Sequence, residues 1–212
     1  MKQGALELVF ILDKSGSMHS LTDDTIGGYN SVLDKQKAEK SDIVVTTVLF
    51  NSRSTILHDR VPAAEVPHIT RNDYEAHGTT ALYDAVGSAI DHIESVHRYI
   101  RPEDIPEKTL FVITTDGKEN ASRLFTREQV RKRIESKRTE GGWEFIFLAA
   151  NIDTDEAAED IGIDRSRAAS FTAESRGIRV MYQKLDRAID ASLRFSAAPV
   201  DWEEVLRDEE ET

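Results

Sequence analysis

The chain has 212 residues, of which 39% are hydrophobic and none is a cysteine, and its formal net charge at pH 7 is −12. This length suits one α/β domain with its own core. The lack of cysteine excludes disulfides, thiolate metal sites and cysteine nucleophiles. The negative charge disfavours nucleic acid and anionic membranes as partners, because both are bound through Lys and Arg.

The first apolar segment, ALELVFIL at residues 5–12, predicts a buried strand. A basic residue precedes it, as in a signal peptide. However, Glu7 interrupts the apolar run, Asp13 follows it directly, and no small-residue cleavage site comes next. We therefore expect a strand without a leader function, and a cytoplasmic protein. No apolar run in the sequence approaches the length of a membrane span, so we expect no membrane contact.

Strand and helix patterns then alternate along the chain. Up to residue 115 the predicted segments are a helix at 21–40, a strand at 42–50, a hairpin edge strand at 54–59, a long surface loop with a short helical turn at 60–79, a helix at 80–100 and a central strand at 109–115. Beyond it they are a helix at 126–138 with Thr126 and Gln129 as a capping box, a buried strand at 143–150, a short helix at 155–161, a strand near 168–173 and a long helix at 176–195.

This alternation predicts an α/β fold with a doubly wound, Rossmann-like, mostly parallel sheet, helices on both faces and one antiparallel edge strand. We assign residues 1–198 to this single domain and residues 199–212 to a short acidic C-terminal tail. Within the tail, Trp202, Val205 and Leu206 fall on one side of a short amphipathic helix.

Three polar loops are expected to meet at one edge of this sheet, because ligands of open α/β sheets bind beyond the carboxyl ends of the strands. The loops are DKSGSM at 13–18, HGTTALYD at 77–84 and DGKENAS at 116–122. Together they offer two aspartates and several hydroxyls, which are the hard oxygen donors that Mg²⁺ prefers. Taken alone, DKSGSM is also a common composition for a turn held by side-chain to backbone hydrogen bonds.

The chemistry of such a donor set favours binding of a partner's carboxylate by the cation over hydrolysis of a substrate. Two aspartates bring a charge of −2, whereas serine and threonine hydroxyls are neutral and weak ligands. If the hydroxyls bind a dication directly and the aspartates act largely through water, the cation stays electrophilic. It then gains from one further carboxylate supplied by a partner. A hydrolytic metal site usually also needs a positioned base and a substrate pocket.

The three loops resemble those of the von Willebrand factor A domain family. DKSGSM resembles its Asp-x-Ser-x-Ser motif, GTTALYD its threonine loop and ITTDGKEN its later aspartate loop, and the order of elements agrees over about residues 5–195. The resemblance implies a metal-ion-dependent adhesion site on a doubly wound sheet. Carried over position by position, the implied metal ligands are Asp13, Ser15, Ser17, Thr80 and Asp116.

The threonine loop departs from the family pattern at one position. The family often has Gly-Gly-Thr-Ala-Leu-Tyr-Asp, and aligning TALYD places Thr80 on the family threonine and Thr79 on its second glycine. Thr79 is therefore a weaker competing ligand. An alternative role for Thr80 is the N-cap of a helix that begins at Ala81.

The resemblance implies a metal-dependent protein–protein interaction module that binds Mg²⁺ or Mn²⁺, with Ca²⁺ as a further candidate. The partner is expected to supply a Glu or Asp carboxylate, and specificity is expected from the rim: His19, the 60–79 loop and the 117–123 loop. From the compact, cysteine-free build we expect a cytoplasmic protein of bacterial or phage-like type. The resemblance to intracellular members of the family implies a role as an assembly or scaffold subunit.

Two other interpretations stay open from the sequence. One is a Mg²⁺-dependent hydrolase or phosphatase that uses the same oxygen cluster. The other is a structural domain whose site binds nothing. The spacing of His19 and His77 does not support a zinc centre, so neither is expected to be catalytic. The oligomeric state is also left open.

Overall fold

A six-stranded sheet forms the centre of the structure, a computed structural model that describes residues 1–39, 42–194 and 200–206. In chain order the strands are β1 (Lys2–Asp13), β2 (Ile43–Phe50), β3 (Ser54–Pro62), β4 (Pro106–Thr115), β5 (Glu144–Ala149) and β6 (Ala168–Ser170). They lie in the order β3-β2-β1-β4-β5-β6, and every neighbouring pair is parallel except the antiparallel pair β2–β3. This confirms the predicted doubly wound sheet with one antiparallel edge strand.

Helices cover both faces of the sheet. They are α1 (Thr22–Glu39), α2 (Leu82–Tyr99), α3 (Arg127–Glu140), α4 (Thr154–Asp160), α5 (Ser175–Arg194) and α6 (Trp202–Leu206). One core cluster joins α1, α5 and α6 to one face, and a second joins α2, α3 and α4 to the other. The alternating residues of β1 belong to the two clusters in turn: Phe10 lies in the first and Ile11 in the second. Burial on both faces explains the continuous apolar run of this strand.

Strand β1 lies at the point where the strand order reverses. It pairs with β2 on one side and with β4 on the other. In the register, Asp13 lies opposite Phe50 of β2, and Leu12 lies opposite Thr114 of β4. The loops that leave β1 and β4 therefore emerge side by side at the carboxyl edge, where open α/β sheets bind ligands.

The segment at 60–79 is mostly exposed and contains the predicted short helical turn, but it is more ordered and more buried than a surface loop. Strand β3 extends through Pro62, a 3₁₀ turn follows at Ala63–Glu65, and Val66, Ile69 and Tyr74 are buried. These apolar side chains stand singly among polar ones, so they form no periodic pattern that the sequence could reveal. The segment is a partly buried strap over one face of the core.

The C-terminal segment is helical where the structure describes it. Trp202 and Leu206 of α6 are buried in the core cluster that contains α1 and α5, so this part of the predicted tail packs on the domain. Residues 207–212 and the proposed boundary at 198 lie outside the described residues, and the division into domain and tail stays a prediction.

Within the described ranges, no helix combines the length and the apolar content that crossing a membrane requires.

The two adjacent glycines of α1 give a prediction about packing between α1 and α5. A Cβ atom on Gly28 lies 2.0 Å from the Tyr182 ring of α5, whereas one on Gly27 meets nothing within 4 Å. We expect Gly28→Ala to lower the free energy of unfolding by about 2 kcal/mol through overpacking. Gly27→Ala is the matched control and is expected to raise it by up to about 1 kcal/mol through helix propensity. Urea unfolding measures both, and equal stability of the two variants contradicts the proposed close packing.

Candidate metal centre

Hydrogen bonds between hydroxyls and carboxylates join the first and third polar loops. The Ser17 hydroxyl donates to Asp116 Oδ1 at 2.5 Å across 99 residues of sequence. The Ser15 and Ser17 hydroxyl oxygens are 3.2 Å apart. Since the single Ser17 proton points to Asp116, Ser15 is the donor in the contact between the two serines. The hydrogen bonds thus run in one direction, from Ser15 to Ser17 and from Ser17 to Asp116.

The Asp13 carboxylate is held at the base of this chain. Its Oδ1 accepts a hydrogen bond from the Ser15 backbone N–H at 2.7 Å, and its Oδ2 accepts one from the Thr115 hydroxyl at 2.6 Å. The Asp13 carbonyl oxygen accepts a short hydrogen bond from the Tyr74 hydroxyl. Both carboxylate oxygens are thus oriented by the protein, one by its own turn and one by the end of β4.

The second loop brings Thr80 to the same place. A Cβ atom on Gly117 lies 3.4 Å from the Thr80 hydroxyl oxygen and 3.6 Å from that of Ser17, so these two hydroxyls flank the same glycine. Helix α2 begins at Leu82 with Ala81 as its N-cap and no side-chain cap, so the capping role considered for Thr80 is wrong. Thr79 is exposed, and its hydroxyl contacts Ser52 at 2.9 Å, which directs it to the outer side of the loop.

Backbone hydrogen bonds fix the three loops to one another. Gly16 N–H donates to the Gly78 carbonyl at 3.0 Å, and His77 N–H donates to the Lys14 carbonyl at 2.9 Å. Asn120 closes the other side of the threonine loop. Its side-chain oxygen accepts from Thr80 N–H at 3.0 Å, and its own N–H donates to the Thr80 carbonyl at 3.0 Å. The positions of the hydroxyls are therefore set by main-chain contacts.

Two of these positioning residues lie within a motif that the sequence shows, and one lies outside every motif. Thr115 and Asn120 belong to ITTDGKEN, of which only Asp116 is predicted as a ligand, and they hold Asp13 and the threonine loop. Tyr74 belongs to the strap at 60–79, where no motif marks it. His77 has a similar role. Its ring contacts the Asn51 amide at 3.3 Å and the Glu75 carbonyl at 2.9 Å, so it braces the threonine loop. His19 is exposed beside the site, as expected for a rim position.

Burial of the two carboxyl groups shapes the electrostatics of the site. Asp13 is completely buried and Asp116 is 4% exposed. Burial, with a smaller contribution from the nearby charge of Asp116, raises the pKa of Asp13 to about 6, although hydrogen bonds from Thr115 and Ser15 act to lower it. Burial also raises the pKa of Asp116, while the Ser17 hydrogen bond lowers it. Two carboxylates that both resist ionisation gain from a nearby cation.

The donor set fits a hard divalent cation. Two carboxylates and the hydroxyls of Ser15, Ser17 and Thr80 are all oxygen donors, as Mg²⁺ and Mn²⁺ prefer. Within the described part of the chain, no group of three or more His, Cys, Asp or Glu side chains is placed to hold a metal. The set found here is therefore rich in neutral oxygens. The site also opens outward, because Asp13 is buried while Ser17 is exposed.

Residues 7–182 match the family profile described as the von Willebrand factor type A domain, and no curated protein matches the chain. Many solved structures are similar to it, and three of them are described below. The vWF domain of Mfa5, a type V pili tip protein from Porphyromonas gingivalis, has a TM-score of 0.66 at 7% identity, with 92% of this chain and 97% of that chain covered.

The other two structures have similar scores. The PilB minor pilin from Streptococcus sanguinis has a TM-score of 0.61 at 14% identity, with 92% of this chain and 63% of that chain covered, so this chain spans less than two thirds of that protein. Manganese-loaded TRAP protein from Plasmodium vivax has a TM-score of 0.60 at 17% identity, with 85% and 73% covered. At these identities the three structures support the fold alone.

The raised pKa of Asp13 predicts a pH-dependent effect of Asp13→Asn in chelator-treated protein. The folded-state pKa of about 6 lies above the ordinary 3.8, so the contribution of this carboxyl is favourable below about pH 4 and is lost as the pH rises through 6. The ionised group then costs on the order of 3 kcal/mol at pH 7. We expect Asp13→Asn to be more stable than wild type at pH 7 by urea unfolding, with a gap that narrows toward pH 4.

Asp164→Asn is the control of opposite sign, because hydrogen bonds from Ser166 hold the pKa of Asp164 below its usual range. Its contribution is present above the ordinary pKa and is lost as the pH falls, so this variant is expected to be no more stable than wild type at pH 7. An Asp13→Asn variant that is less stable than wild type at pH 7 without metal contradicts the electrostatic description of the site.

Proposed function

The chain belongs to the von Willebrand factor type A domain family, and from this premise we propose that it is a metal-dependent protein-interaction module. The observation that carries the proposal is the Ser17 to Asp116 hydrogen bond, which joins two hard-oxygen loops 99 residues apart. With Thr80 beside Gly117, these loops supply the oxygen set that a small dication needs.

In the proposed site, the hydroxyls of Ser15, Ser17 and Thr80 hold Mg²⁺ or Mn²⁺, and Asp13 and Asp116 act directly or through water. Ca²⁺ is a further candidate, since it also takes oxygen ligands. When bound, the cation supplies a positively charged position for a partner's carboxylate oxygen. The manganese-loaded state of the TRAP structure supports a divalent cation in this fold.

The roles of the two aspartates differ in this proposal. Both oxygens of Asp13 already accept hydrogen bonds, from Ser15 N–H and from the Thr115 hydroxyl. This arrangement suits a carboxylate that orients the turn and a bound water. Asp116 accepts one hydrogen bond from Ser17, and its loop leads directly to Gly117, where the hydroxyls lie. Asp116 is therefore the better placed of the two to reach the cation itself.

The partner is proposed to contribute a Glu or Asp side chain. Neutral hydroxyl ligands leave most of the charge of the cation unbalanced, so a further carboxylate is attracted. The exposure of Ser17 next to buried Asp13 places this charge at the protein surface, where a protein partner can reach it. The cytoplasmic location, the bacterial origin and the scaffold role expected from the sequence stay predictions.

The two neighbouring threonines offer a matched test of the metal site. Thr80→Ala is expected to weaken Mn²⁺ binding about tenfold or more, because it removes a proposed ligand. Thr79→Ala is expected to leave binding unchanged, because its hydroxyl contacts Ser52 on the outer side of the loop. Isothermal titration of Mg²⁺ and Mn²⁺ into each variant measures both, with circular dichroism as a check on folding. A greater loss in Thr79→Ala assigns the ligand to Thr79 instead.

Carboxylate capture is tested with two short peptides with blocked termini, Gly-Gly-Glu-Gly-Gly and its glutamine analogue. With Mn²⁺ or Mg²⁺ present, the glutamate peptide is expected to shift the NMR signals of the three loops, and the glutamine peptide is not. Chelation of the metal is expected to abolish the effect. Equal shifts from both peptides contradict the proposal, and Mg²⁺-dependent turnover of p-nitrophenyl phosphate that Asp13→Asn abolishes supports the hydrolase alternative.

A further inference from the structure

A second surface feature lies beside the threonine loop. It is a groove of about 550 Å³ lined by Ser52, Arg53, Ser54, Thr79, Arg123 and Leu124, together with Asp84 and Ala121. We call it the arginine groove. It begins one residue from Thr80, because Thr79 forms part of its wall.

Both arginines of the groove are exposed, and neither forms an ion pair with any residue that the structure describes. Most other arginines of the described ranges contact a carboxylate, as Arg60 does with Glu7 and Arg133 with Asp91. The one carboxylate in the lining, Asp84, accepts hydrogen bonds from backbone N–H groups and forms no ion pair with either arginine. Guanidinium groups recognise carboxylates through paired N–H donors.

The loop that carries Arg123 is held in place by Asp84. The Asp84 carboxylate accepts hydrogen bonds from the backbone N–H groups of Arg123, Leu124 and Phe125 at 2.9, 2.8 and 2.9 Å. The Phe125 ring packs inward over Gly87, where a Cβ atom would lie 2.6 Å from it. Leu124 remains 73% exposed. The backbone of the loop is therefore fixed, and the side chains of Arg123 and Leu124 are exposed to solvent.

The turn that carries Arg53 is tied to the threonine loop. The Ser52 hydroxyl contacts the Thr79 hydroxyl at 2.9 Å and accepts from Thr79 N–H at 3.1 Å. Within the turn, Asn51 N–H donates to the Arg53 carbonyl at 3.0 Å. These hydrogen bonds join the turn that carries Arg53 to the loop that carries the proposed ligand Thr80.

The opposite flank of the proposed metal site has the reverse charge. A pocket of about 210 Å³ there is lined by four carboxylates and one lysine: Glu119, Asp153, Glu156, Asp160 and Lys118. A partner that brings one carboxylate to the metal is repelled from this flank if it carries a second one, and attracted to the arginine groove. This difference in charge between the two flanks therefore favours a second acidic residue of the partner on the side of the arginine groove.

We propose that the arginine groove binds a second carboxylate of the same partner segment, next to the one captured by the metal, while an apolar side chain of that segment packs on Leu124. The inference rests on the proposed function, since the first carboxylate binds at the metal site. An extended segment advances about 3.3 Å per residue, so the two acidic residues are expected about two to four residues apart. The partner is thus an acidic segment with at least one apolar residue between its carboxylates.

The test uses labelled synthetic peptides with one glutamate, or with two glutamates separated by two, three or four positions with a leucine between them. Fluorescence anisotropy measures binding to wild type and to Arg53→Ala/Arg123→Ala with Mg²⁺. The double-glutamate peptides are expected to bind wild type about fivefold more tightly than the single-glutamate peptide, an advantage that the variant loses. Arg98→Ala/Arg101→Ala is the charge-matched control, because both arginines are exposed at the far end of α2.

The outcomes separate the groove from the metal site. Unchanged Mg²⁺ titration heats in Arg53→Ala/Arg123→Ala show that this variant is folded and keeps the metal site. An advantage of the double-glutamate peptides that persists in this variant, or is lost equally in the control, overturns the inference. If no peptide binding depends on metal, the proposed function fails, yet a double-glutamate preference lost only in the groove variant still supports the arginine groove.

Discussion

The structure depends on how two fully buried carboxylates of the central strand are stabilised. Glu7 and Asp13 both have no exposed surface, and a buried charge is unfavourable unless it is paired. Glu7 meets a cation of the protein itself: Arg60 Nε lies 3.0 and 2.9 Å from its two oxygens, and His97 approaches one of them at 3.2 Å. The Asp13 carboxylate accepts hydrogen bonds from Ser15 N–H and the Thr115 hydroxyl, and among the described residues no cation is paired with it. The first arrangement is complete within the chain, whereas the second gains from an external cation.

The position of Asp13 follows from the same sheet that buries it. Strand β1 pairs on both sides, so its last residue is surrounded by the ends of β2 and β4 and by the loops that leave them. The hydroxyls of Ser17 and Thr80 lie around Gly117 because backbone contacts join their loops, and Gly117 has no side chain to fill the space between them. A Cβ atom at this glycine would contact both hydroxyls at 3.4 and 3.6 Å, so a larger side chain there would lie against them. The pairing of β1 within the sheet thus buries Asp13 and also brings the proposed metal ligands together.

The sequence predicted the fold well because the strands buried on both faces are continuous apolar runs and the capping box of Thr126 and Gln129 marks a helix start, which the structure confirms. It also named the loops that meet, because they carry hard oxygen donors at the carboxyl edge of the predicted sheet and resemble three motifs of one family. The segment at 60–79 is largely exposed and has the predicted short helical turn, but the sequence missed its buried side chains, since single ones such as Tyr74 give no period. The preference for Thr80 over Thr79 came from aligning TALYD and stays a prediction, to which the structure adds the contact of the Thr79 hydroxyl with Ser52.

The charges around the site determine what the site can distinguish. A cation held by neutral oxygens attracts any carboxylate, so by itself it separates acidic from neutral partners and little more. The flanks carry opposite charge, with Arg53 and Arg123 on one side and Glu119, Asp153 and Glu156 on the other. A partner segment that binds in the opposite orientation brings its second carboxylate next to the acidic flank, and this repulsion between like charges is unfavourable. In this proposal the metal anchors the partner segment, and the charged loops on either side of the metal determine the orientation in which the segment binds.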